Sequence, residues 1–244
     1  MSVSDFDELV EHPGAGRAFE RAVVPGLGDA APGGRVRLDA LARWLQDVAL
    51  ADVVDARLSE AALWVVRRTR IAVRRFPRFG EDDARAVTWC SATGRAWAQR
   101  RTTIALGGEA AVEAVALWVH LDPESGRPTP FTDAELEVYG PSANGREVRA
   151  RLRHDAPPQA PEAMRPWEFR TVELDVADHI NNAAYWSPLE DELLRAGGEP
   201  EAIDVEVEHR TPAQPGPHTV LTDGLRRWIT GPEGEVHASF LLAT

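Results

Sequence analysis

The run LDALARWLQDVALADVVDA at residues 38–56 decides the fold. Leu41, Trp44, Leu45, Val48 and Ala49 recur at the three- and four-residue spacing of a helix face. A helix that is apolar on much of its surface must be covered on more than one side. The flanking sequence supplies strands to cover it. Residues 19–25 are strand-like and lead through a Gly/Pro/Ala loop into the helix. Strand-like runs follow at 63–75, 84–93, 96–106 and 110–122. Phe76-Pro77-Arg78-Phe79-Gly80 breaks the first from the second, and Gly107-Gly108 reads as a hairpin turn.

The second half repeats this order. Residues 169–174 are strand-like, 181–196 helix-like up to a C-capping Gly197-Gly198, and 203–210, 218–223, 224–230 and 236–242 strand-like again. One strand, one long helix and an antiparallel meander, given twice, is α+β order rather than alternating βαβ. The expected fold is two tandem hotdog domains, each a curved antiparallel sheet wrapped around a long central helix, with the two sheets joined edge to edge. The expected boundaries are 1–138 for the first domain, 139–166 for a Pro/Ala-rich charged linker, and 167–244 for the second. Pro188 cannot donate to the carbonyl of Ala184, so the second helix should kink or restart near Ser187. Ser187-Pro188-Leu189-Glu190 reads as a capping box.

Composition narrows the function. Net charge is −12, which argues against general nucleic-acid binding. No apolar run reaches the roughly 20 residues of a membrane span. Residues 1–11 are acidic, without the apolar core of a signal peptide. The single cysteine, Cys90, excludes an internal disulfide and a cysteine metal cluster, and reads as a buried structural thiol. A cytoplasmic enzyme without metal or cofactor, monomeric or homodimeric, is expected. All cationic side chains apart from histidine are arginines, and they crowd residues 67–78 and 146–153. Each crowd reads first as a solvated strand face and second as a basic patch for an acidic partner.

The chemistry lies in Glu173-Leu174-Asp175-Val176-Ala177-Asp178-His179-Ile180-Asn181-Asn182-Ala183-Ala184-Tyr185-Trp186. Asp175, Asp178, His179, Asn181 and Asn182 fall just before a helix, where unpaired amides and a partial positive charge favour an oxyanion. A carboxylate there can activate water and a histidine can orient it. The same residues are also common helix caps.

Residues 175–185 resemble the Asp-x-Asn-x-His-Val-Asn-Asn-x-x-Tyr motif of the acyl-[acyl carrier protein] thioesterases. Trp64-Val65-Val66, Arg75 to Gly80, Thr88-Trp89 with Ser91 to Gly94, and Ala116 to Val119 are similar to further landmarks of that family, in order. The resemblance spans about residues 17–242. It implies hydrolysis of fatty acyl thioesters carried on acyl carrier protein or coenzyme A, with acyl-chain binding in the first domain and catalysis in the second. It implies Asp175 and His179 as catalytic residues, supported by Asn181 and Asn182. The family's intervening Asn is Ala177 here, and Arg210 stands near the family's acidic residue on the following strand. That leaves Glu206 and Glu208 as supporting candidates, with His209 beside them. Ala177 favours the alternative of an acyl-thioester-binding protein with weak or lost catalysis. Trp44, Trp64, Trp89 and Trp118 are the candidate lining of an acyl channel.

Overall fold

The computed structural model describes residues 6–58 and 63–243. The first half contains β1 (Phe19–Ala22), α1 (Leu38–Asp55), β2 (Leu63–Val73), β3 (Arg85–Thr93), β4 (Trp97–Leu106), β5 (Glu109–Leu121) and α2 (Asp133–Ala143). The second contains β6 (Ala163–Phe169), α3 (Ser187–Arg195), β7 (Ile203–His209), β8 (Gly216–Asp223), β9 (Arg226–Thr230) and β10 (Val236–Leu242). The strands form one sheet in the order β1-β3-β4-β5-β2-β7-β10-β9-β8-β6. Each set of five has the same order read from its outer edge inward, and the sets meet where β2 pairs antiparallel with β7. No helix among the described residues is long and apolar enough to cross a membrane.

The central strands assign their side chains to two faces by alternation. Ile71 and Val73 of β2, and Val205 and Val207 of β7, join the apolar core with Leu41, Leu45 and Val48 of α1 and Leu189 of α3. Arg68 and Arg70 point the other way, opposite Glu208 and Glu206 across the strand pair. A bulge between Val66 and Arg68 shifts the register of β2 against β5. It lets Val66 and Thr69, three residues apart, share a face.

Two expectations about element boundaries change. Residues 169–174 are not a strand: β6 ends at Phe169, and 171–173 form a 3-10 turn. The interval 139–166 is not wholly linker, because it holds the end of α2 and the start of β6. Pro166 belongs to β6, which lies at the edge of the sheet, where a missing amide costs no ladder bond. Helix α2 opens with Thr132, whose side chain accepts from the Glu135 amide at 3.3 Å while Glu135 accepts from the Thr132 amide at 2.8 Å.

The restart at Pro188 is present: a 3-10 turn at Ala184–Trp186 gives way to regular α3 from Ser187. The capping box is absent, since no side chain caps the start of α3. Glu190 has another partner. It accepts from Arg35 at 3.2 and 2.7 Å and from the backbone amide of Leu38, the first residue of α1, at 3.0 Å. Arg35 also lies 4.7 Å over the Phe76 ring. Both charges are almost fully buried. A carboxylate from α3 therefore satisfies the opening of α1 and docks the halves. Replacing it should leave the buried guanidinium with only the more distant Glu199 carboxylate at 3.7 Å, at a cost approaching about 3–5 kcal/mol. Glu190→Gln is expected to lower the urea unfolding free energy by an amount of that order; an unchanged midpoint and slope would contradict this role.

Candidate active site

A narrow cavity runs between α1 and the sheet. Ala42, Leu45 and Gln46 of α1 form one side; Thr102, Ala114, Ala116, Val66 and Thr69 form the other. Small side chains at 114 and 116 leave the space open. Arg100, Ala116, Thr69 and Val207 are register partners on β4, β5, β2 and β7. Three strand spacings separate the first from the last, roughly 14 Å. Arg100 lines one end, where it donates to the buried Asp52 of α1 at 2.6 Å and lies 5.4 Å over the Tyr139 ring. Asn182, Trp186 and His209 of the second half line the other end.

The loop leading to Asn182 holds its shape through its own polar groups. The Asp175 carboxylate accepts from the Ala177 amide at 2.9 Å, and the Asp175 amide donates to the His179 carbonyl at 2.9 Å. Asp178 takes a φ of +58°, a left-handed conformation that Asp tolerates better than most residues. Asn181 Oδ1 accepts from the Ala183 amide at 2.9 Å, and its carbonyl accepts from the Ala184 amide at 2.9 Å. Two amides expected to face a substrate are therefore already taken. Asn181 also exchanges hydrogen bonds with Gln46 at 3.2 and 3.4 Å, which ties the loop to α1.

Asn182 lines the cavity; Asp175 is half-buried and His179 is exposed, and neither lines it. Tyr185 feels the Asp175 charge on one side and packs against the cavity residue His209 on the other. Its ring meets His209 edge-on at 5.1 Å, and its hydroxyl accepts from the Ala213 amide at 2.8 Å. Burial pushes the Tyr185 phenol up to about 12, the Ala213 amide opposes that shift, and the Asp175 charge adds to it.

Glu206 and Glu208 are not part of this site. Alternation puts them on the opposite face of β7 from Val207 and His209. There Glu206 accepts from Arg153, His154 and the Asp7 amide, and Glu208 accepts from Arg68 and the amides of Arg153 and His154. Burial alone would raise the Glu206 carboxyl, but the His154 hydrogen bond and the Arg153 and Arg68 charges hold it below the usual range. Their oxygens approach His154 closely enough for a cation, yet protein donors already occupy them.

Of the four tryptophans, Trp118 lines the cavity. Trp44 sits in the core, Trp64 stacks on Phe131 at 5.6 Å, and Trp89 packs under Arg101 with His12 at its edge. Trp186 and His209 are cavity residues that the motif did not single out. The apolar parity of Val205 and Val207 on β7 was the available signal for His209. Cys90 is buried, and burial pushes its thiol up to about 11, in keeping with a structural thiol.

The arginine crowds are largely spoken for. Arg68 pairs with Asp7 and Glu208, Arg70 with Asp204, and Arg75 with Glu81. Arg78 donates to the Gly33 carbonyl and Arg146 to the Ser91 carbonyl. Arg149 and Arg151 remain exposed.

An extended antiparallel sheet with few helices, with an internal cavity beside the His-x-Asn-Asn-x-x-Tyr loop, is a hotdog-type fold. Residues 22–139 match the family model of the acyl-ACP thioesterase N-terminal domain, so this stretch, just under half of the chain, is a domain of that family. The fold is similar to that of an acyl-ACP thioesterase from Bacteroides thetaiotaomicron, with a TM-score of 0.75 and 15% identity over 92% of this chain and 96% of that one. It is also similar to the 12:0-ACP thioesterase from Umbellularia californica, with a TM-score of 0.71 and 17% identity over 92% and 96%. An uncharacterized protein of Mycobacterium tuberculosis is 24% identical over 85% of this chain and 83% of its own length.

His209 is buried, and that burial pushes its pKa down to about 3, with Arg67 adding to the effect. The unfolded chain takes up that proton near the ordinary value of 6.5. Between about 6.5 and 3 the unfolded state binds more protons, so this group lowers stability as pH falls through that window. His209→Leu should therefore lose less stability than wild type between pH 7 and pH 5 in urea titrations; equal losses would contradict a neutral, buried His209.

Proposed function

We propose that the protein hydrolyses fatty acyl thioesters, with acyl-[acyl carrier protein] as the substrate, and releases a free fatty acid. The observation that carries this reading is the cavity that begins at Asn182 and His209 beside the motif loop and runs beneath α1 to Arg100. Leu45, Val66, Trp118 and three alanines give it an apolar stretch between polar ends at Asn182 and Arg100, and its span, roughly three strand spacings, follows the direction an extended acyl chain would take. The match of residues 22–139 to the acyl-ACP thioesterase N-terminal domain supports the reaction class.

In this reading the chain is two tandem hotdog domains, with α1 and α3 as their wrapped helices. The first, from the N-terminus to about residue 138, holds the acyl chain, and the second, from about residue 167, carries the reacting groups. Asp175 takes a proton from water, the water oxygen bonds to the carbonyl carbon, and the carbon–sulfur bond breaks. The proton returns to the leaving thiolate, so the products are a carboxylic acid and a thiol. Asn182 offers its side-chain amide to the carbonyl oxygen, and His179 orients the water. The reading with weak or lost catalysis draws on Ala177, which leaves no side-chain amide between Asp175 and His179.

Thiol release from matched carrier-protein and coenzyme A thioesters tests the reaction. Asp175→Asn is expected to remove most activity with the fold intact, because an amide still accepts from Ala177 but takes no proton from water. Full activity in a well-folded variant would place the chemistry elsewhere. Acyl carrier proteins are acidic, so the carrier reading assigns docking to the exposed arginines. Arg149→Glu with Arg151→Glu should raise KM for the carrier-bound substrate and leave the coenzyme A substrate nearly unchanged; equal effects on both would count against carrier docking.

A further inference from the structure

Buried polar groups are almost always hydrogen-bonded, so an exception calls for a reason. His209 is less exposed than one-tenth, and neither ring nitrogen has a hydrogen-bond partner. Among the described residues it is the histidine with both nitrogens in that condition. It also lines the cavity, at the end shared with Asn182 and Trp186. Leaving buried polar atoms bare costs about 1–3 kcal/mol, and a leucine or valine would fill this apolar face of β7 without that cost. The Tyr185 contact is an edge-on ring contact and satisfies neither nitrogen, because the Tyr185 hydroxyl is bonded to Ala213.

We propose that His209 donates its ring N–H to the thioester carbonyl oxygen, as a second donor beside Asn182. This rests on the hydrolase reading and deepens it. The two helix-start amides that could have served are held by Asn181, so the oxyanion needs donors from elsewhere in the cavity wall. A neutral imidazole carries one N–H and one acceptor nitrogen. Burial keeps His209 neutral through the physiological range. Its N–H thus polarises a carbonyl as a fixed dipole, without a proton to lose.

The test compares wild type, His209→Leu and His209→Gln in thiol release, with melting curves for each. His209→Leu is expected to lower kcat on the order of 100-fold, with a smaller change in KM, while its melting temperature holds or rises. His209→Gln keeps a neutral donor and should retain more activity than His209→Leu. Wild-type kcat in His209→Leu overturns the assignment. So does an activity loss that merely follows a loss of folded protein. A second readout does not depend on turnover. A ketone analogue of an acyl pantetheine thioester, with methylene in place of sulfur, should shift the His209 ring 15N resonances on binding. A bound analogue that leaves them unmoved overturns the contact, whether or not the wild type hydrolyses thioesters. A wild type that shifts its His209 signals yet releases no thiol from any substrate would sink the hydrolase reading and leave the contact standing.

Discussion

The pairing of β2 with β7 is the constraint on which the remaining structure depends. It joins two five-strand sets into one sheet and fixes which side chains face the helices. Thr69, Val207 and His209 go to one face; Arg68, Arg70, Glu206 and Glu208 go to the other. A slip of one residue would exchange those two sets and drive four charges into the apolar core. The cavity exists because the row from Arg100 through Ala116 and Thr69 to Val207 is continuous across this junction. Neither half alone lines it.

The second face explains why so acidic a chain carries arginines in its strands. Asp7, Arg68, Arg153, His154, Glu206 and Glu208 form a mutually satisfied network over the middle of the sheet. Burying such charges is costly unless each is paired, and here each has several partners. The bidentate geometry of arginine suits this task better than lysine would. The network fixes β7 from behind while the cavity occupies its front. Glu190 does similar work at the helical layer, where one carboxylate serves Arg35 and the first turn of α1.

Most of the element order was readable because α1 and the strands carry clear periodicities. What escaped the reading was set by tertiary contacts. Residues 163–166 looked like linker because Pro and charge dominate them, yet an edge position makes Pro166 acceptable. Ser187 to Glu190 fits a local capping box, but Arg35 and Leu38 compete for the same carboxylate and hold it. The motif loop stood out in the sequence, and of its residues Asn182 lines the cavity while Asp175 and His179 do not. Glu206 and Glu208 were drawn in by proximity in sequence alone, and period-two alternation removes them. The same alternation points His209 inward, a signal that becomes clear once Val205 and Val207 are recognised as core. The tryptophans could not be sorted by type, since core packing, stacking on Phe131 and cavity lining all favour the same residue.

The account holds that one cavity, built by both halves, takes an acyl chain with its carbonyl at the β7 end and its tail toward Arg100. A crystal structure with a non-hydrolysable acyl pantetheine analogue tests this directly. The predicted result is a chain lying along Ala116 and Thr69 beneath Leu45, with its carbonyl oxygen within hydrogen-bond distance of Asn182 and His209. A chain bound outside this cavity, or one inside it with the carbonyl at the Arg100 end, would contradict the account.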